Sequence, residues 1–513
     1  MRNPPLTIPA LLLTLPWAAT VSAASPAVAV HMNVWSNKGA VTLIDTDSFA
    51  VIGTAEFDQP VMPLRFDATR KSLLAFTASP WKKKAPVTLW SLDTETAAKT
   101  SVAELGRGFG SKTYLLDPGP SSTRLYVVNK TKKSKPATIA AFDLATLTPL
   151  GQLASVERLT QLRISPDGAL LYAFCEGKPH KKPKGPPGNV HVLDAMTGEE
   201  LGRVEAGQGA SSLAFDMKRG LAYVLGVADV DENGTLTVLR GGAQAARFAV
   251  RGRPIGLKVG PDGVSYLLTS SAVIALDADG LAAVHTWKLS FGPSDLIFDP
   301  AHDVMFAGAG AGSKVAKLRI REGDVLVEHP TGDPGRKFGM GLGATLYFIF
   351  AVAAAAGGAY VPTPFLPVQN STSMLLGEDG AILYVLNPYT SDVSIFDVAK
   401  QDVVDIVNTG GGSTRIVQLP RDPTFWVQSR EKLMHFDTAT NRIDRTIDFK
   451  AGISYNTVTY EAARERAWVT THSKVLIFDL RTGEAVGKAD LPRFATAFWI
   501  DNSRKPEPDS PHY

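Results

Sequence analysis

The stretch MLLGEDGAILYVL at residues 374–386, followed by VSIFD at 393–397, decides the fold prediction. Apolar and polar residues alternate on both sides of the Glu-Asp-Gly turn, and the next short alternating run ends in Asp397. Alternation with a period of two, interrupted by a tight turn, predicts an antiparallel hairpin. The runs LRISPDGALLYAF at 162–174 and LKVGPDGVSYLLT at 257–269 repeat the pattern. Helical periodicity is nearly absent, so the sequence predicts an all-β chain.

The Asp-terminated run is the clearest repeat marker, and its copies lie about 40–50 residues apart, the length of one four-stranded propeller blade. Its copies are VTLID ending at Asp45, VTLWSLD at Asp93, TIAAFD at Asp143, VHVLD at Asp194, VIALD at Asp277, VSIFD at Asp397, LMHFD at Asp437 and VLIFD at Asp479. Two degenerate copies, LTVLR at Arg240 and VAKLR at Arg319, fill the larger gaps and bring the count to ten. We expect the aspartates to cap the following turns with their carboxylates.

These repeats predict a closed β-propeller over residues 24–500. Ten blades exceed the usual four to eight, so irregular copies would reduce the number to seven to nine. The first marker lacks a full preceding hairpin, whereas FATAFWI at 494–500 is a strand without a partner. Pairing this last strand with the first blade would remove both open edges. The polar, proline-rich tail 501–513 is predicted to be disordered.

LYVVN at 125–129 and LYVLN at 383–387, together with the SPDG turn and the VSIFD strand, resemble the YVTN-repeat β-propellers. These are bacterial exported relatives of the quinoprotein amine dehydrogenase β-chain superfamily. The resemblance covers residues 30–500 and implies the fold. It indicates little about activity, because such propellers serve as scaffolds, ligand binders and, less often, enzymes.

Composition and the N-terminus indicate an exported globular protein. The chain is 44% hydrophobic and 20% charged, with a net charge of +3, which argues against disorder, a polytopic membrane protein and a nucleic-acid binder. Arg2, the apolar run 6–19 and the small residues before Ala24 predict a signal peptide over 1–23. Cys175 is the only cysteine, so no internal disulfide can form. The predicted location is the bacterial periplasm or the outside of the cell.

Lysine-rich insertions interrupt three consecutive blades between the second and third strands. Propeller geometry puts these insertions on the same face as the loops that lead into each innermost strand, several of which carry arginine. The candidate residues for binding an anionic partner are Lys82, Lys83, Lys84, Lys130, Lys132, Lys133, Lys135, Lys178, Lys181, Lys182, Lys184, Arg107, Arg158 and Arg253. Because the net charge is small, the opposite face is predicted to be acidic.

Two interpretations of this lysine-rich face remain open. The lysines could only keep solvated loops and exposed edges soluble. Alternatively, they form a docking face for an anionic partner, such as an envelope surface, an acidic glycan or an acidic protein. Nucleic acid is not expected, because the insertions lack the interleaved aromatic residues that stack on bases.

An apolar insertion over 331–370 is the second departure from the repeat. No charged residue occurs between Lys337 and Glu378, and 339–361 is long enough to cross a bilayer as a helix. Further repeats follow it, so the chain must leave and return on one side. The alternatives for this segment are a buried helix or channel plug, membrane contact or partner docking through 339–361, and an extra blade.

Catalytic motifs are scarce. The nine histidines show no metal-ligand spacing, no Gly-x-Ser-x-Gly motif occurs, and the calcium-like run at 229–233 lacks the acid at its twelfth position. We therefore predict no metal, no cofactor and no assignable catalytic residue, with Cys175 as a core side chain. The leading hypothesis is a binding or scaffold module. The alternative is an enzyme centred on the channel, such as a lactonase, a lyase or a quinoprotein-type dehydrogenase component.

Overall fold

The structure is a computed structural model of the chain. It describes residues 27–33, 38–67, 71–79, 85–107, 113–116, 123–130, 136–175, 188–227, 234–277, 279–309, 314–333, 374–388, 390–410, 412–419, 422–429, 431–449, 458–471, 473–492 and 497–500. The predicted signal peptide 1–23, most of the apolar insertion and the tail 501–513 lie outside these residues.

The described chain folds into ten four-stranded antiparallel blades arranged in a ring, which confirms the predicted all-β propeller. The count of ten is correct, and the fallback of seven to nine blades is wrong. The strands of the first half are β1 (Ala27–Asn33), β2 (Lys38–Ile44), β3 (Val51–Phe57), β4 (Val61–Asp67), β5 (Ser72–Thr77), β6 (Pro86–Asp93), β7 (Lys99–Arg107), β8 (Thr113–Leu116), β9 (Arg124–Asn129), β10 (Ala137–Asp143), β11 (Thr148–Val156), β12 (Leu159–Ile164), β13 (Leu170–Cys175), β14 (Gly188–Asp194), β15 (Glu200–Asp216), β16 (Leu221–Val227), β17 (Gly234–Arg240) and β18 (Ala243–Val250).

The second half continues the same order and adds two short 3-10 turns, Pro300–His302 and Ala462–Arg464. Its strands are β19 (Pro254–Val259), β20 (Ser265–Thr269), β21 (Ala272–Leu276), β22 (Ala283–Lys288), β23 (Pro293–Asp299), β24 (Val304–Ala309), β25 (Lys314–Arg319), β26 (Val325–Pro330), β27 (Met374–Leu376), β28 (Ile382–Asn387), β29 (Asp392–Asp397), β30 (Asp402–Asn408), β31 (Arg415–Gln418), β32 (Phe425–Gln428), β33 (Lys432–Asp437), β34 (Arg442–Asp448), β35 (Val458–Glu461), β36 (Arg466–Thr470), β37 (Lys474–Asp479), β38 (Ala485–Asp490) and β39 (Ala497–Trp499).

Each blade uses four strands from the innermost to the outermost position. Blade 2 is β4 to β7, blade 3 is β8 to β11, and the order continues to blade 10, which is β35 to β38. Blades 4 and 5 form one seven-stranded sheet, because β15 is the outermost strand of blade 4 and continues as the innermost strand of blade 5. Both degenerate markers form third strands, β17 and β25.

The hydrophobic core lies between the blades. Ten clusters of buried side chains occur, and each contains residues from two successive blades. The second and third strands contribute most of these residues. For example, β5 is buried along its whole length, whereas the outermost strand β7 is mostly exposed. Burial of apolar area contributes about 25 cal/mol per Å² to stability. Because this area lies between blades, each blade is stabilised mainly by packing against its two neighbours.

The last strand closes the ring, as the sequence predicted. The pairs Val28↔Trp499, Ala29↔Phe498 and Val30↔Ala497 place β39 antiparallel to β1 at the inner edge of blade 1. Phe498 in β39 packs in one cluster with Ala29 in β1 and with Trp468 of blade 10. At the same junction, Arg464 of blade 10 pairs with Asp47 of blade 1 at 2.5 Å.

The marker aspartates cap turns, which confirms their predicted role. In blade 4, the Asp194 carboxylate accepts the backbone N–H of Met196 at 2.8 Å and that of Thr197 at 2.7 Å. The same pattern occurs at Asp45, Asp93, Asp143, Asp397 and Asp479. The cap gives the carboxylate partners inside a turn that has few other hydrogen bonds.

At five of the marker aspartates the cap lowers the pKa of the carboxyl group. In every case the largest cause is a hydrogen bond from the residue three positions later, whether a backbone N–H or a hydroxyl. The pKa is lowered in this way at Asp45 by Ser48, Asp93 by Thr96, Asp194 by Thr197, Asp397 by Lys400 and Asp437 by Thr440. The charged form of each carboxyl is therefore favoured in the folded state.

Acid should destabilise this protein through the caps. A carboxyl whose pKa is lowered by folding contributes stability above its unfolded pKa of about 3.9, and this contribution is lost as the pH falls through the folded value. We expect the thermal midpoint to be flat between about pH 7 and pH 5 and to fall below about pH 4. Asp194→Asn should lower the midpoint at neutral pH and weaken the acid dependence. An unchanged acid dependence in this and the equivalent Asp93→Asn variant would contradict the capping account.

The capped turns also require a left-handed residue four positions after the aspartate. This residue is Gly198 with φ 76° in blade 4 but Gln401 with φ 60° in blade 8. Its N–H donates to the carbonyl of the aspartate at 2.9 Å in both turns. A β-carbon on Gly198 would lie 2.2 Å from the carbonyl oxygen of Leu153, so that turn also needs glycine for space.

Substitutions at the two positions should have opposite effects. We expect Gln401→Gly to stabilise the protein by about 0.5 kcal/mol, because relief of about 1 kcal/mol of left-handed strain exceeds the entropy cost of glycine. Gly198→Ala should destabilise by more than about 1 kcal/mol through strain and the contact with Leu153. Denaturant midpoints of the two variants test this pair. Destabilisation by both would show that the left-handed conformation does not govern these turns.

Candidate functional site on the upper face

Strand connectivity defines two faces of the ring. We call the upper face the one that carries the connections between second and third strands and between successive blades. The lower face carries the turns between first and second and between third and fourth strands, including the capped aspartate turns. Because every blade has the same antiparallel strand order, these two sets of connections stay on opposite faces around the whole ring.

All three lysine-rich insertions begin and end at the upper face. They connect β5 to β6, β9 to β10 and β13 to β14, which are the second and third strands of blades 2, 3 and 4. The lysines outside the described residues are Lys82, Lys83, Lys84, Lys132, Lys133, Lys135, Lys178, Lys181, Lys182 and Lys184. The flanking strand ends agree with the predicted topology, and the role of these lysines stays a prediction.

Lys130 is the one insertion lysine that the structure describes. Its ammonium group donates to the backbone oxygen of Thr160 at 3.2 Å. Thr160 belongs to β12, the innermost strand of the next blade, so Lys130 reaches across the boundary between blades 3 and 4. The neighbouring Asn129 donates from its amide to the oxygen of Leu105 in blade 2 at 3.4 Å. The start of this insertion is thus held against both adjacent blades.

The three candidate arginines lie at three different blade boundaries. Arg107 ends β7 and pairs with Glu104 at 3.3 Å, with both side chains exposed. Arg158 is exposed in the two-residue turn between β11 and β12. Arg253 is exposed just before β19, and its backbone N–H donates to the hydroxyl of Ser270 at 3.0 Å. The structure therefore spreads these cations around the upper face and does not gather them into one pocket.

The sequences of the connections differ in charge between the two faces. Among connections of the upper face, Lys and Arg outnumber Asp and Glu in the sequence, owing mainly to the three insertions. Among those of the lower face, Asp and Glu outnumber Lys and Arg. Exposed acids of the lower face that form no ion pair or side-chain hydrogen bond with any described residue are Glu199, Asp279, Glu378 and Glu484.

A buried polar network holds the start of the apolar insertion. Thr331 follows β26, and its hydroxyl donates to the Asn387 side-chain oxygen at 2.7 Å. The amide of Asn387 donates to Asp392 at 2.8 Å and to Ser394 at 3.0 Å. The N–H groups of residues 332 and 333 donate to Ser394 and Asp392. Asn387, Asp392 and Ser394 are at most 1% exposed, so the chain leaves blade 7 from a fixed point on blade 8.

This network was missed by sequence reasoning. Asn387 ends the LYVLN motif, but its partners Thr331 and Ser394 are identified only by the fold. Blades 7 and 8 pack directly through Phe306, Val385 and Phe396, so the ring has no gap for the extra blade considered above. Residues 334–373 lie outside the described residues, and within those residues no helix is both long and apolar enough to cross a membrane.

One cluster of polar side chains resembles a nucleophile arrangement. The Nδ1–H of His435 donates to the Asp444 carboxylate at 2.6 Å, and its Nε2 lies 2.8 Å from the Thr424 hydroxyl oxygen. Thr424, however, donates its only hydroxyl hydrogen to Asp422 at 2.6 Å. The Thr424 hydroxyl hydrogen is therefore directed at Asp422 rather than at His435, which is not the arrangement of a hydroxyl activated by an imidazole base. The cluster therefore ties the first turn of blade 9 to its outer strands.

Metal-binding clusters and reactive thiols were the other chemistries to consider. Among the residues that the structure places, no group of three or more His, Cys, Asp or Glu side chains is arranged to hold a metal ion. Burial raises the pKa of the Cys175 thiol to about 11, so this thiol is protonated at neutral pH. Cys175 is half-buried at the edge of the cluster between blades 3 and 4, rather than fully inside the core. The calcium-like run 229–233 lies outside the described residues.

The chain has low similarity to known proteins. No protein-family model and no curated protein sequence matches the chain. Among solved structures, it is similar to a dihydro-heme d1 dehydrogenase, NirN, with 14% identity and a TM-score of 0.40 over 75% of this chain and 76% of that one. It is also similar to a eukaryotic initiation factor, with 13% identity, a TM-score of 0.43 and coverage of 84% and 98%. A putative 6-phosphogluconolactonase from Bacteroides fragilis is also similar, with 16% identity, a TM-score of 0.32 and coverage of 65% of this chain and 96% of that one. The chain is a ten-bladed β-propeller.

Proposed function

We propose that this chain is an exported binding module of the YVTN-repeat type that uses its upper face to hold an anionic surface of the bacterial envelope. The observation that carries the proposal is the charge difference between the sequences of the connections on the two faces of the ring. Three successive blades add lysines on one face, although the net charge of the chain is only +3. A field of this kind concentrates anions near one face and orients their approach.

The positions of the three candidate arginines favour an extended anionic surface over a small ligand. Arg107, Arg158 and Arg253 lie at separate boundaries and point to no common pocket in the described part of the chain. Surface cations spread in this way act together on an extended array of negative charges, at about 1 kcal/mol for each Lys or Arg near an anionic membrane. An acidic glycan or an acidic protein is the other chemistry that the same face would accept.

The apolar segment is the second element of the proposal. The hydrogen bonds of Thr331 and Asn387 fix the departure of the chain at the upper face, and Met374 returns it to the inner edge of blade 8. The chain therefore leaves the described residues at 333 and re-enters them at 374 on the face that also carries the ends of the lysine-rich insertions. Membrane contact through 339–361 would add apolar burial to the electrostatic attraction, which makes a bilayer the preferred partner.

Co-sedimentation with vesicles tests this function. We expect the purified protein to bind vesicles that contain phosphatidylglycerol more tightly than vesicles of phosphatidylcholine alone. Replacing Lys178, Lys181, Lys182 and Lys184 with Gln should weaken binding at least tenfold, because each contributes up to about 1 kcal/mol. Raising the salt concentration should weaken the electrostatic part of binding. Binding that persists at high salt would be the part attributed to 339–361.

A matched control keeps the change in charge but moves it to the lower face. Gln replacements of Lys71, Lys218, Arg321 and Lys400 remove the same number of cations there and should leave vesicle binding unchanged. Equal weakening by both variants would show that only net charge matters. If the protein binds neither vesicles nor an immobilised sulfated glycan at low salt, the proposed function is wrong, and retention on the glycan alone would identify a glycan partner.

A further inference from the structure

One arginine at the inner edge of the ring breaks the pattern of the repeat. Arg415 begins β31, the innermost strand of blade 9, and pairs with Gln428 at the end of β32. By the order of the strands, this pair lies at the upper end of the inner edge. The corresponding first pairs in the other blades are Ala497 with Val30, Val61 with Thr77, Thr113 with Asn129, Leu159 with Cys175, Gln208 with Val227, Pro254 with Thr269, Pro293 with Ala309, Met374 with Val385 and Val458 with Val469. None of these pairs contains a charged residue, so the cation is particular to blade 9.

Three contacts hold the guanidinium group of Arg415 in place. Its Nε–H donates to the side-chain oxygen of Gln428 at 2.9 Å, and its Nη2 donates to the backbone oxygen of Val458 in blade 10 at 3.4 Å. The guanidinium carbon lies 4.5 Å from the centre of the Tyr460 ring, and the Tyr460 hydroxyl donates to the same Gln428 oxygen at 3.2 Å. Arg415 is nevertheless exposed. A side chain that is already held in one position loses less conformational freedom when it binds a ligand.

The contacts of Arg415 leave its positive charge without a counter-charge. An amide oxygen, a backbone oxygen and an aromatic ring are all neutral, and burial raises the pKa of Tyr460 to about 12, so its phenol is also neutral at physiological pH. No carboxylate among the described residues forms an ion pair with Arg415. Arg464 at the boundary between blades 10 and 1 shows the alternative, because it pairs with Glu461 at 2.5 Å.

The unused hydrogen-bonding groups of this pair are all donors. Arginine carries five N–H groups, and Gln428 and Val458 take two of those on Arg415, so both N–H groups of Nη1 and one of Nη2 have no partner among the described residues. The Gln428 oxygen accepts from Arg415 and Tyr460, so its amide nitrogen is the group that stays without a described partner. Free donors beside one fixed positive charge match an oxyanion, whose oxygens only accept.

We propose that Arg415 and Gln428 form a binding site for the oxyanion of a small ligand, a carboxylate or a phosphate, at the upper end of the boundary between blades 9 and 10. The Nη1 and Nη2 groups of the guanidinium donate in parallel to two oxygens of the anion, which is the geometry that planar arginine offers to both groups. The Gln428 amide supplies a further donor. This site needs none of the lysine insertions, so it does not depend on the proposed function.

Isothermal titration calorimetry with inorganic phosphate and with succinate tests the site. In about 0.1 M sodium chloride, which screens the other surface charges, we expect a Kd of about 1 mM for the better of the two anions, the scale of a few charge-assisted hydrogen bonds. The better anion identifies the chemical class of the ligand. Arg415→Gln should weaken its binding at least tenfold. A wild-type protein that binds neither anion at about 10 mM would overturn the site.

Gln428→Glu tests the role of the missing counter-charge. This variant keeps the guanidinium group and the size of its neighbour, but the carboxylate would neutralise Arg415. Binding of the anion should therefore weaken at least fivefold, without a fall in the thermal midpoint. Unchanged anion binding in this variant would show that the uncompensated charge of Arg415 is not what attracts the anion, and would contradict the proposal.

Arg445→Gln is the matched control. Arg445 lies in the outermost strand of the same blade, and its Nη1 donates to the backbone oxygen of Arg481 at 2.9 Å. The variant removes the same charge and should leave anion binding unchanged, whereas an equal loss in Arg415→Gln and Arg445→Gln would overturn the site. The variant with Gln at Lys178, Lys181, Lys182 and Lys184 should lose vesicle binding and still bind the anion, so the two proposals can fail separately.

Discussion

The pairing of β39 with β1 is the interaction on which the rest of the structure depends. Each blade buries its apolar face against the next, so an open array would leave two such faces exposed to water. Three residue pairs between the ends of the chain, and the cluster around Trp468 and Phe498, join blade 10 to blade 1. Only in the closed ring do all ten boundaries bury their core.

Much of this architecture follows from local sequence patterns. A strand of period two that ends in Asp and a capped turn is visible without a structure, because both the alternation and the cap involve neighbours along the chain. The degenerate copies at Arg240 and Arg319 were found by spacing alone, and both are third strands. The continuous strand β15 was not predicted. Its Gly-Gln-Gly segment is typical of a loop, whereas the structure continues the strand from blade 4 into blade 5.

The candidate site was less predictable, because its contacts join residues that are distant in the sequence. Thr331 and Asn387 are 56 positions apart, and nothing near either residue indicates the other. Nothing in the sequence indicates the hydrogen bond from the Lys130 ammonium group to the backbone oxygen of Thr160 either. Sequence could place the lysine insertions on one face, because the order of strands determines it. It also assigned Arg107, Arg158 and Arg253 to the entry loops of different blades, but it could not show their contacts, such as the pairing of Arg107 with Glu104.

Ring closure can be measured directly by cross-linking. In a Cys175→Ala background, cysteines placed at Ala29 and Phe498, which face each other across β1 and β39, should form a disulfide under mild oxidation. The shifted pair Ala27 and Phe498 is the control, because those positions are not opposed. Efficient cross-linking of the first pair and little of the second, measured by thiol titration and mass spectrometry, is what closure predicts. Free thiols in the first pair, or equal cross-linking in both, would contradict it.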